Sequence, residues 1–329
     1  MSRGRPRCHD SNPQSPLRCA AAWRPVLAPP QLREGGEDWR MVTDVFLHII
    51  TAVTERNDAT DVVPGPTAND VRPRIRSIAL PTEHGGWGFT LEPILLGLLV
   101  AASATAWELS AAALGIFLAR RPVKIFSTDI VRKRWLPRSR IALTFSLLYG
   151  GIALAGVVGA FLTTDGPFWI PVLVAAPFAL YALRADAHSR NRGLLPELSG
   201  SIAMGATVSA IAIGSGWDLA PAFGLWLVLA ARDVAAIVLV RGQIRRNKAK
   251  PVGASRIYAV QTACTAAVAI AAGFGIVPWL SVLAIGLVGV VALVSLKRPP
   301  VEARVIGWTQ MAVGLMVVLI TAAGVHLGW

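Results

Sequence analysis

From about residue 87 to the end of the chain, long apolar segments alternate with short polar connections. We distinguish nine apolar segments, at residues 87–103, 106–119, 141–162, 167–183, 195–215, 219–240, 257–275, 277–296 and 305–327. A membrane-spanning helix needs about 20 predominantly apolar residues, with a range of about 17–25, and most of these segments meet that length. The pattern predicts an all-α, polytopic transmembrane helical bundle of about nine spans.

Basic residues are concentrated in alternate connections between the segments. They occupy the connections after the second, fourth, sixth and eighth segments: Arg120, Arg121, Lys124, Arg132, Lys133, Arg134, Arg138 and Arg140; Arg184, Arg190 and Arg192; Arg241, Arg245, Arg246, Lys248, Lys250 and Arg256; and Lys297, Arg298 and Arg304. The charged residues of the other connections are Asp165 and Asp218. Because cytoplasmic loops carry the excess of Lys and Arg, this alternation predicts a cytoplasmic N-terminus and an external C-terminus in a bacterial cytoplasmic (inner) membrane.

Two local features bear on how the segments pack. The first two segments are short and are separated only by Ser103-Ala104-Thr105, so residues 87–119 form either two spans or one re-entrant hairpin, and we favour two spans. In the third segment, Gly151, Ala155 and Gly159 recur at the four-residue spacing of close helix crossings. This spacing predicts a tight bundle and assigns no chemistry to these three residues.

Residues 1–77 differ from the rest of the chain. They are rich in Arg and Pro and contain no apolar run long enough to span a membrane. They also lack the apolar core and the small-residue cleavage site of a signal peptide. We expect a disordered or poorly ordered cytoplasmic tail, followed by a membrane domain over residues 78–329. A short apolar run after Met41 leads to the hypothesis that Met41 or a later codon is the true start.

Composition favours a membrane protein over a nucleic-acid-binding protein. Of the 329 residues, 54% are hydrophobic and 16% are charged, against roughly 25% charged residues in a typical soluble domain. The net charge of +13 would suit nucleic acid if it formed a soluble basic face. Here the basic residues flank apolar segments, where they meet anionic lipid headgroups. The three cysteines form no metal or disulfide pattern, and the Walker, Rossmann, HExxH and paired CxxC motifs are absent. We expect neither a bound metal nor a cofactor.

Four ionisable residues fall inside the apolar segments: Glu92, Glu197, Arg232 and Asp233. Such groups are costly in a bilayer and are functional candidates for that reason. Arg232 lies nine residues before Arg241, which places it about 13 Å deeper at 1.5 Å per residue. Because adjacent residues of a helix point apart, we expect Arg232 to pair with Glu92 or Glu197, and not with Asp233. The group is either a structural ion pair between helices or part of a polar cavity open to the cytoplasm.

Further candidates lie where the chain meets the cytoplasmic interface. Glu83, His84 and Trp87 occur in the stretch Pro81-Thr82-Glu83-His84-Gly85-Gly86-Trp87-Gly88. They fit an ordinary helix entry, with acidic residues in the first turn and Trp at the headgroups, or a titratable group in which His84 transfers protons. Arg121 and Lys124, at the end of the second segment, suit a helix C-terminus or a clamp for phosphate.

On these residues the chain resembles the YwiC-like family of bacterial integral membrane proteins. The matching stretches are Pro81 to Gly88 leading into Leu91-Glu92-Pro93, Arg121-Pro122, Leu195-Pro196-Glu197-Leu198 with Gly200, and Ala231-Arg232 followed by Val240-Arg241. The P-x-E-H-G-x-W-G stretch is the most specific of them. The resemblance extends over nearly all of residues 79–329 and implies a multi-pass membrane domain, with no particular reaction attached.

The predicted topology is also similar, more distantly, to that of UbiA-type intramembrane prenyltransferases. That resemblance implies nine helices, a cytoplasmic N-terminus and a cavity that faces the cytoplasm. The Asp-rich motifs of those enzymes would fall at the ends of the second and sixth segments. The chain has Arg120-Arg121-Pro122-Val123-Lys124 and Arg241-Gly242-Gln243-Ile244-Arg245-Arg246 there. Magnesium-bound diphosphate would lack its ligands, whereas cationic side chains hold a phosphate group directly.

Three functions are compatible with these observations. The first is a binding protein with a cytoplasm-facing polar cavity for an isoprenoid or anionic lipid. The second is a divergent, metal-independent UbiA-like transferase with Glu92 or Glu197 as base and Arg232 as clamp. The third is a small-solute transporter gated by the same group. Beyond the lipid bilayer itself, the residues expected to contact a ligand are Glu83, His84, Trp87, Glu92, Arg121, Lys124, Glu197, Arg232, Asp233 and Arg241.

Overall fold

The computed structural model describes residues 75–81, 84–133, 135–187 and 193–328. Over these residues the chain is helical and contains no strand. Its helices are α1 (Ile75–Ala79), α2 (His84–Val100), α3 (Ala104–Val131), α4 (Pro137–Thr163), α5 (Trp169–Ala187), α6 (Leu194–Gly214), α7 (Leu219–Asn247), α8 (Ala254–Gly273), α9 (Trp279–Lys297) and α10 (Ala303–His326). The predicted all-α helical bundle is confirmed. Met41 and most of the predicted tail, residues 1–74, lie outside the described residues. The last three residues of the tail, 75–77, begin α1.

Six of these helices are long and apolar enough to cross a membrane: α4, α5, α6, α7, α9 and α10. Helix α2 is apolar but shorter, with 17 residues. Residues 87–119 contribute two separate helices, because α2 ends at Val100 and Ser103 caps α3 by accepting a hydrogen bond from the backbone nitrogen of Ala106 at 3.0 Å. The protein is therefore a multi-pass membrane protein, and the count of nine spans stays a prediction.

Two helices continue well beyond the apolar segments that predicted them. Helix α3 was expected to end near residue 119 and runs to Val131, and α7 was expected to end near residue 240 and runs to Asn247. The added turns carry six of the basic residues that we assigned to connections: Arg120, Arg121, Lys124, Arg241, Arg245 and Arg246. Arg and Lys are good helix formers, and cationic side chains stabilise the C-terminal turns of a helix. Basic side chains of α3 are consequently held on a rigid helix face.

Helix α7 is the central element of the described bundle. In its most apolar stretch 67% of the residues are buried, against 22% in α4 and 17% in α5. Leu225 and Leu229 pack with residues of α2, α6 and α10, and Val228 packs with residues of α8, α9 and α10. Large apolar side chains of α4 and α5, such as Leu162 and Leu180, are exposed instead, as expected for helices that face lipid.

Helices α3 and α4 cross at very close range. A Cβ atom on Gly115 would lie 2.8 Å from the carbonyl oxygen of Tyr149, and one on Gly156 would collide with the carbonyl oxygen of Glu108. The predicted close packing is therefore present, and of the three predicted residues Gly159 takes part in it, because a Cβ there would lie 2.9 Å from Glu108 Oε1. A Cβ on Gly151 would meet no atom within 4 Å, because the buried face of α4 is rotated away from it.

Candidate functional site

A cavity of about 560 Å³ lies beside the basic C-terminal half of α3. Its basic lining residues are Arg120, Arg121 and Lys124 from α3 and Arg138 from α4. Ile78, Phe117 and Ile125 contribute apolar surface to the same lining. Ligand-binding cavities usually have volumes of about 300–1,000 Å³ and combine apolar walls with a few polar groups. We call this cavity the α3 pocket.

Asp186, on α5, is held between two basic side chains of the α3 pocket. Its Oδ1 atom lies 2.6 Å from Lys124 Nζ, and its Oδ2 atom lies 3.4 Å from Arg120 Nη2. The two cations are four residues apart and share a helix face, so both reach one carboxylate. The Asp186 side chain is 10% exposed, whereas those of Arg120 and Lys124 are 47% and 49% exposed. Much of each cationic side chain therefore remains open.

Asp129, near the end of α3, is almost fully buried beneath Arg138. Arg138 donates from Nε to Oδ2 at 3.0 Å and from Nη2 to Oδ1 at 2.6 Å. Ser139 donates its hydroxyl proton to Oδ2 at 2.8 Å. The hydrogen bonds from Arg138 lower the pKa of Asp129 to about 2, because donors directed at a carboxylate favour its ionised form. Four cationic side chains thus meet two carboxyl groups in the α3 pocket.

The glycine- and tryptophan-containing stretch at the start of α2 lies against one wall of this pocket. The Trp87 and Phe117 rings form an edge-to-face pair with centroids 5.1 Å apart, and Phe117 lines the pocket. Trp87 Nε1 donates to the carbonyl oxygen of Pro81 at 3.4 Å. A Cβ on Gly86 would lie 3.2 Å from the Phe117 ring, so a small residue there allows the close approach.

A second group of charges, which we call the ion core, lies inside the bundle. Arg232 Nη2 on α7 is 2.7 Å from Glu92 Oε1 on α2, and Arg232 Nη1 is 3.2 Å from Asp233 Oδ1. The three side chains are 3%, 8% and 5% exposed. The predicted pairing of Arg232 with Glu92 is confirmed. The exclusion of Asp233 is wrong, because the long side chain of Arg232 lets its guanidinium present separate edges to both carboxyl groups.

The surroundings of the ion core fix the position of the guanidinium. Arg232 Nη2 also donates to the carbonyl oxygen of Gln310 on α10 at 2.7 Å, and the Phe89 ring centroid lies 5.7 Å from Arg232 Cζ. A Cβ atom on Gly314 would collide with both Glu92 Oε1 and Arg232 Nη2. The backbone of α10 therefore lies directly against the pair, which only glycine allows at that position.

Glu197 and Arg241 form a third, more open ion pair between α6 and α7. Arg241 Nη1 donates to Glu197 Oε2 at 2.6 Å, and the two side chains are 35% and 39% exposed. Glu197 is therefore paired with Arg241, so the alternative in which it pairs with Arg232 is set aside.

The predicted candidates thus separate into the α3 pocket, the ion core and the Glu197–Arg241 pair. Glu83 and the side chain of His84 lie outside the described residues. Asp129 and Asp186 were missed, although their position in or beside basic connections was a signal for them. Gly314 gave no signal in the sequence. In the described part of the chain, no group of three or more His, Cys, Asp and Glu side chains is placed to hold a metal ion.

A comparison with protein families finds a match to part of the chain. The family model for YwiC-like protein matches residues 80–212, which is less than half of the chain. The match contains both carboxyl groups of the α3 pocket and Glu92, and it ends before Arg232. No curated protein and no solved structure matches the chain. The resemblance to the YwiC-like family is confirmed over these residues, and a UbiA-like arrangement stays a prediction.

Proposed function

We propose that this multi-pass membrane protein, YwiC-like over residues 80–212, binds the phosphate-bearing headgroup of an isoprenoid or another anionic lipid in the α3 pocket. The observation that carries the proposal is a cavity of about 560 Å³ lined by four cationic side chains and two carboxyl groups. Arg and Lys on a rigid helix are suited to phosphate, because guanidinium groups bind it in two-point fashion and ammonium groups add point charge.

The apolar part of the pocket supports a lipid over a soluble anion. Ile78, Phe117 and Ile125 supply surface that a free phosphate would not use. On the outside of α3, Ile116 is 57% exposed and Val123 is 47% exposed, so the pocket adjoins an apolar surface. A ligand with a charged head and a hydrocarbon tail uses both kinds of surface.

The distribution of basic residues supports a cytoplasmic position for the pocket. Arg120, Arg121, Lys124 and Arg138 all belong to the connection that the positive-inside pattern assigns to the cytoplasm. The proposal therefore places headgroup binding at the cytoplasmic face of the bacterial plasma membrane. It is a proposal of binding and not of transfer, because neither proposed base, Glu92 or Glu197, is among the residues that line the pocket.

The test measures ligand affinity in two variants with opposite expected effects. The purified protein is titrated with a prenyl phosphate, with the matching prenyl alcohol and with inorganic phosphate. Lys124→Gln should weaken binding of the prenyl phosphate about fivefold, since one basic residue contributes about 1 kcal/mol at such a surface. Asp186→Asn should strengthen it by a similar factor, because it removes the competing carboxylate. A folding defect would not produce that gain.

A matched control is Lys248→Gln, which removes one charge from an exposed side chain at the end of α7. It should leave the affinity within twofold of wild type. Equal binding of the alcohol and the phosphate would contradict headgroup recognition, and equal affinity for inorganic phosphate would contradict a lipid ligand. Unchanged affinity in both pocket variants would remove the α3 pocket as the site, and a loss in Asp186→Asn would contradict competition by its carboxylate.

A further inference from the structure

The ion core brings together side chains whose formal charges do not balance. Arg232 supplies one positive charge, while Glu92 and Asp233 together supply two negative charges when ionised. An unpaired charge buried in a membrane protein is costly, and proteins avoid it by pairing or neutralising the group. Two carboxyl groups beside one guanidinium thus need one further positive charge.

Three buried polar atoms of the ion core lack hydrogen-bond partners in the described part of the chain, and one of them, Glu92 Oε1, is held by its ion pair with Arg232. Glu92 Oε2 and Arg232 Nε are buried, and neither has a partner among the described residues. Buried polar atoms are normally hydrogen-bonded. An unpartnered carboxylate oxygen in a cluster with a net negative charge is therefore a place where a small cationic ligand would be accommodated. Both atoms belong to side chains that are more than nine-tenths buried.

We propose that the ion core binds one exchangeable proton, shared between Glu92 and Asp233. Carboxyl groups that cannot both ionise share a proton as a pair. A proton needs no added volume, whereas a metal cation would need space and several oxygen ligands. On the α10 side that space is absent, because the Gly314 backbone closes against Glu92 Oε1 and Arg232 Nη2.

Among the described residues, Arg232 is the cation that forms ion pairs with the two carboxyl groups. The charges of Glu92 and Asp233 also act on each other. The packed helices are α2, α6, α7, α8, α9 and α10. Their described parts, which leave out the His84 side chain, carry these other titratable or charged groups: Glu197, Arg241, Arg245, Arg246, Arg256, Tyr258, Cys264, Lys297, Arg304 and His326.

Helix α6 lies next to Asp233 in the ion core. The Ser201 hydroxyl is near Asp233 and donates to the carbonyl oxygen of Leu198 at 3.1 Å. Glu197 is partly exposed in its pair with Arg241. The proposal places proton exchange on the α6 side of the ion core, and release of the proton leaves both carboxyl groups ionised.

Infrared difference spectroscopy of the purified full-length protein tests the proposal. Wild type at neutral pH should show the carbonyl stretch of one protonated carboxyl group, and this band should shift in deuterated buffer. Glu92→Gln and Asp233→Asn should each abolish it, because either change balances the charge of Arg232 without a proton. Glu197→Gln, which removes a carboxylate from an open pair, should retain the band.

Several outcomes would overturn the proposal. Absence of the band in wild type would do so without any variant and therefore independently of how the variants fold. Retention of the band in folded Glu92→Gln and Asp233→Asn would place the proton elsewhere. Loss of the wild-type band on adding sodium at constant pH would show a metal cation in place of the proton. None of these results depends on lipid binding in the α3 pocket.

Discussion

Gly314 has no side chain at the place where α10 meets the Arg232–Glu92 pair. A Cβ there would collide with Glu92 Oε1 and Arg232 Nη2, so Gly314→Ala must displace a buried ion pair. We expect a loss of about 1–3 kcal/mol in unfolding free energy, the usual cost of overpacking. The measurement is reversible unfolding in detergent or bicelles.

Gly307→Ala is the matched control for this prediction. It lies in the same helix, and a Cβ there would meet no atom within 4 Å. Because alanine has the higher helix propensity, Gly307→Ala should be neutral or stabilise by up to about 1 kcal/mol. Equal effects of the two substitutions would contradict the contact between α10 and the ion core.

The Asp129–Arg138 pair should give the protein a defined acid sensitivity. The pKa of Asp129 is lowered in the folded protein from an ordinary 3.8 to about 2. A lowered folded-state pKa stabilises above the unfolded-state value, and the stabilisation is lost as the pH falls through the folded-state value. The thermal stability lost in Asp129→Asn should therefore be constant above about pH 4 and should disappear between about pH 4 and pH 2.

A partner variant separates this pair from other carboxyl groups. Arg138→Gln removes the donor whose hydrogen bonds lower the pKa, so the pH-dependent part of the stability loss caused by Asp129→Asn should shrink when that substitution is made in the Arg138→Gln background. A difference between wild type and Asp129→Asn that does not change with pH would show that Asp129 acts through packing alone.

The sequence predicted the chemical identity of the ion core but only part of its geometry. The depth of Arg232 required a carboxylate from another helix, and Glu92 supplies it. The contact with Asp233 could not be predicted from helix-face periodicity, because that periodicity describes Cβ directions and not the reach of a long side chain. Gly314 could not be predicted either, since its role depends on which helix lies opposite.

At the scale of helices, the crossing of α3 and α4 depends on backbone contact. A Cβ on Gly156 would collide with the carbonyl oxygen of Glu108 and lie 2.9 Å from the backbone nitrogen of Ala112. Because these are backbone atoms, Gly156→Ala must move the two helices apart. We expect a loss of about 1–3 kcal/mol in unfolding free energy, measured as for Gly314→Ala.

Gly151→Ala, on the same helix, provides the comparison for the crossing. A Cβ there has no neighbour within 4 Å, so the stability of the Gly151→Ala variant should equal or exceed that of wild type.

The sequence predicted a close crossing in this region, but small-residue spacing alone did not reveal its register. Gly151 and Gly156 both lie on α4, and only the packing partner decides which of them is buried.

Helix ends were the least predictable property of the elements. Apolar segments mark the part of a helix that contacts lipid or protein, and the hydropathy signal stops where Arg and Lys begin. Backbone hydrogen bonding continues through such residues, since their helix propensity is high. As a result, the basic turns of α3 that line the pocket were predicted as a connection, and the pocket itself was not predicted as a feature of a helix.

For the whole molecule, the alternation of basic connections predicts one orientation in the membrane. In a variant without the native Cys8, Cys19 and Cys264, a cysteine introduced by Asp165→Cys should react with a membrane-impermeant maleimide in intact cells. One introduced by Lys250→Cys should react only after lysis. Both positions are exposed in the structure, so accessibility within the protein does not limit the reaction.

Lysed cells serve as the control, because both cysteines should react there to the same extent. Labelling at residue 250 in intact cells would contradict the proposed orientation and would place the α3 pocket on the outer face. The bundle architecture was predictable because the length and apolar character of each segment can be read from the sequence. Orientation has no counterpart in the fold, since the coordinates of the helices are the same in either direction across a bilayer.

The ion core joins helices that leave the ribosome at different times. Glu92 on α2 leaves the ribosome before Arg232 and Asp233 on α7, and α10 with Gly314 follows last. On insertion scales, an Arg or Asp at the centre of a helix costs about 2.5–3.5 kcal/mol. Helix α7 therefore enters the bilayer most readily when α2 is already inserted, because Glu92 can then pair with Arg232. The contact of Gly314 with this pair forms only after α10 has been inserted.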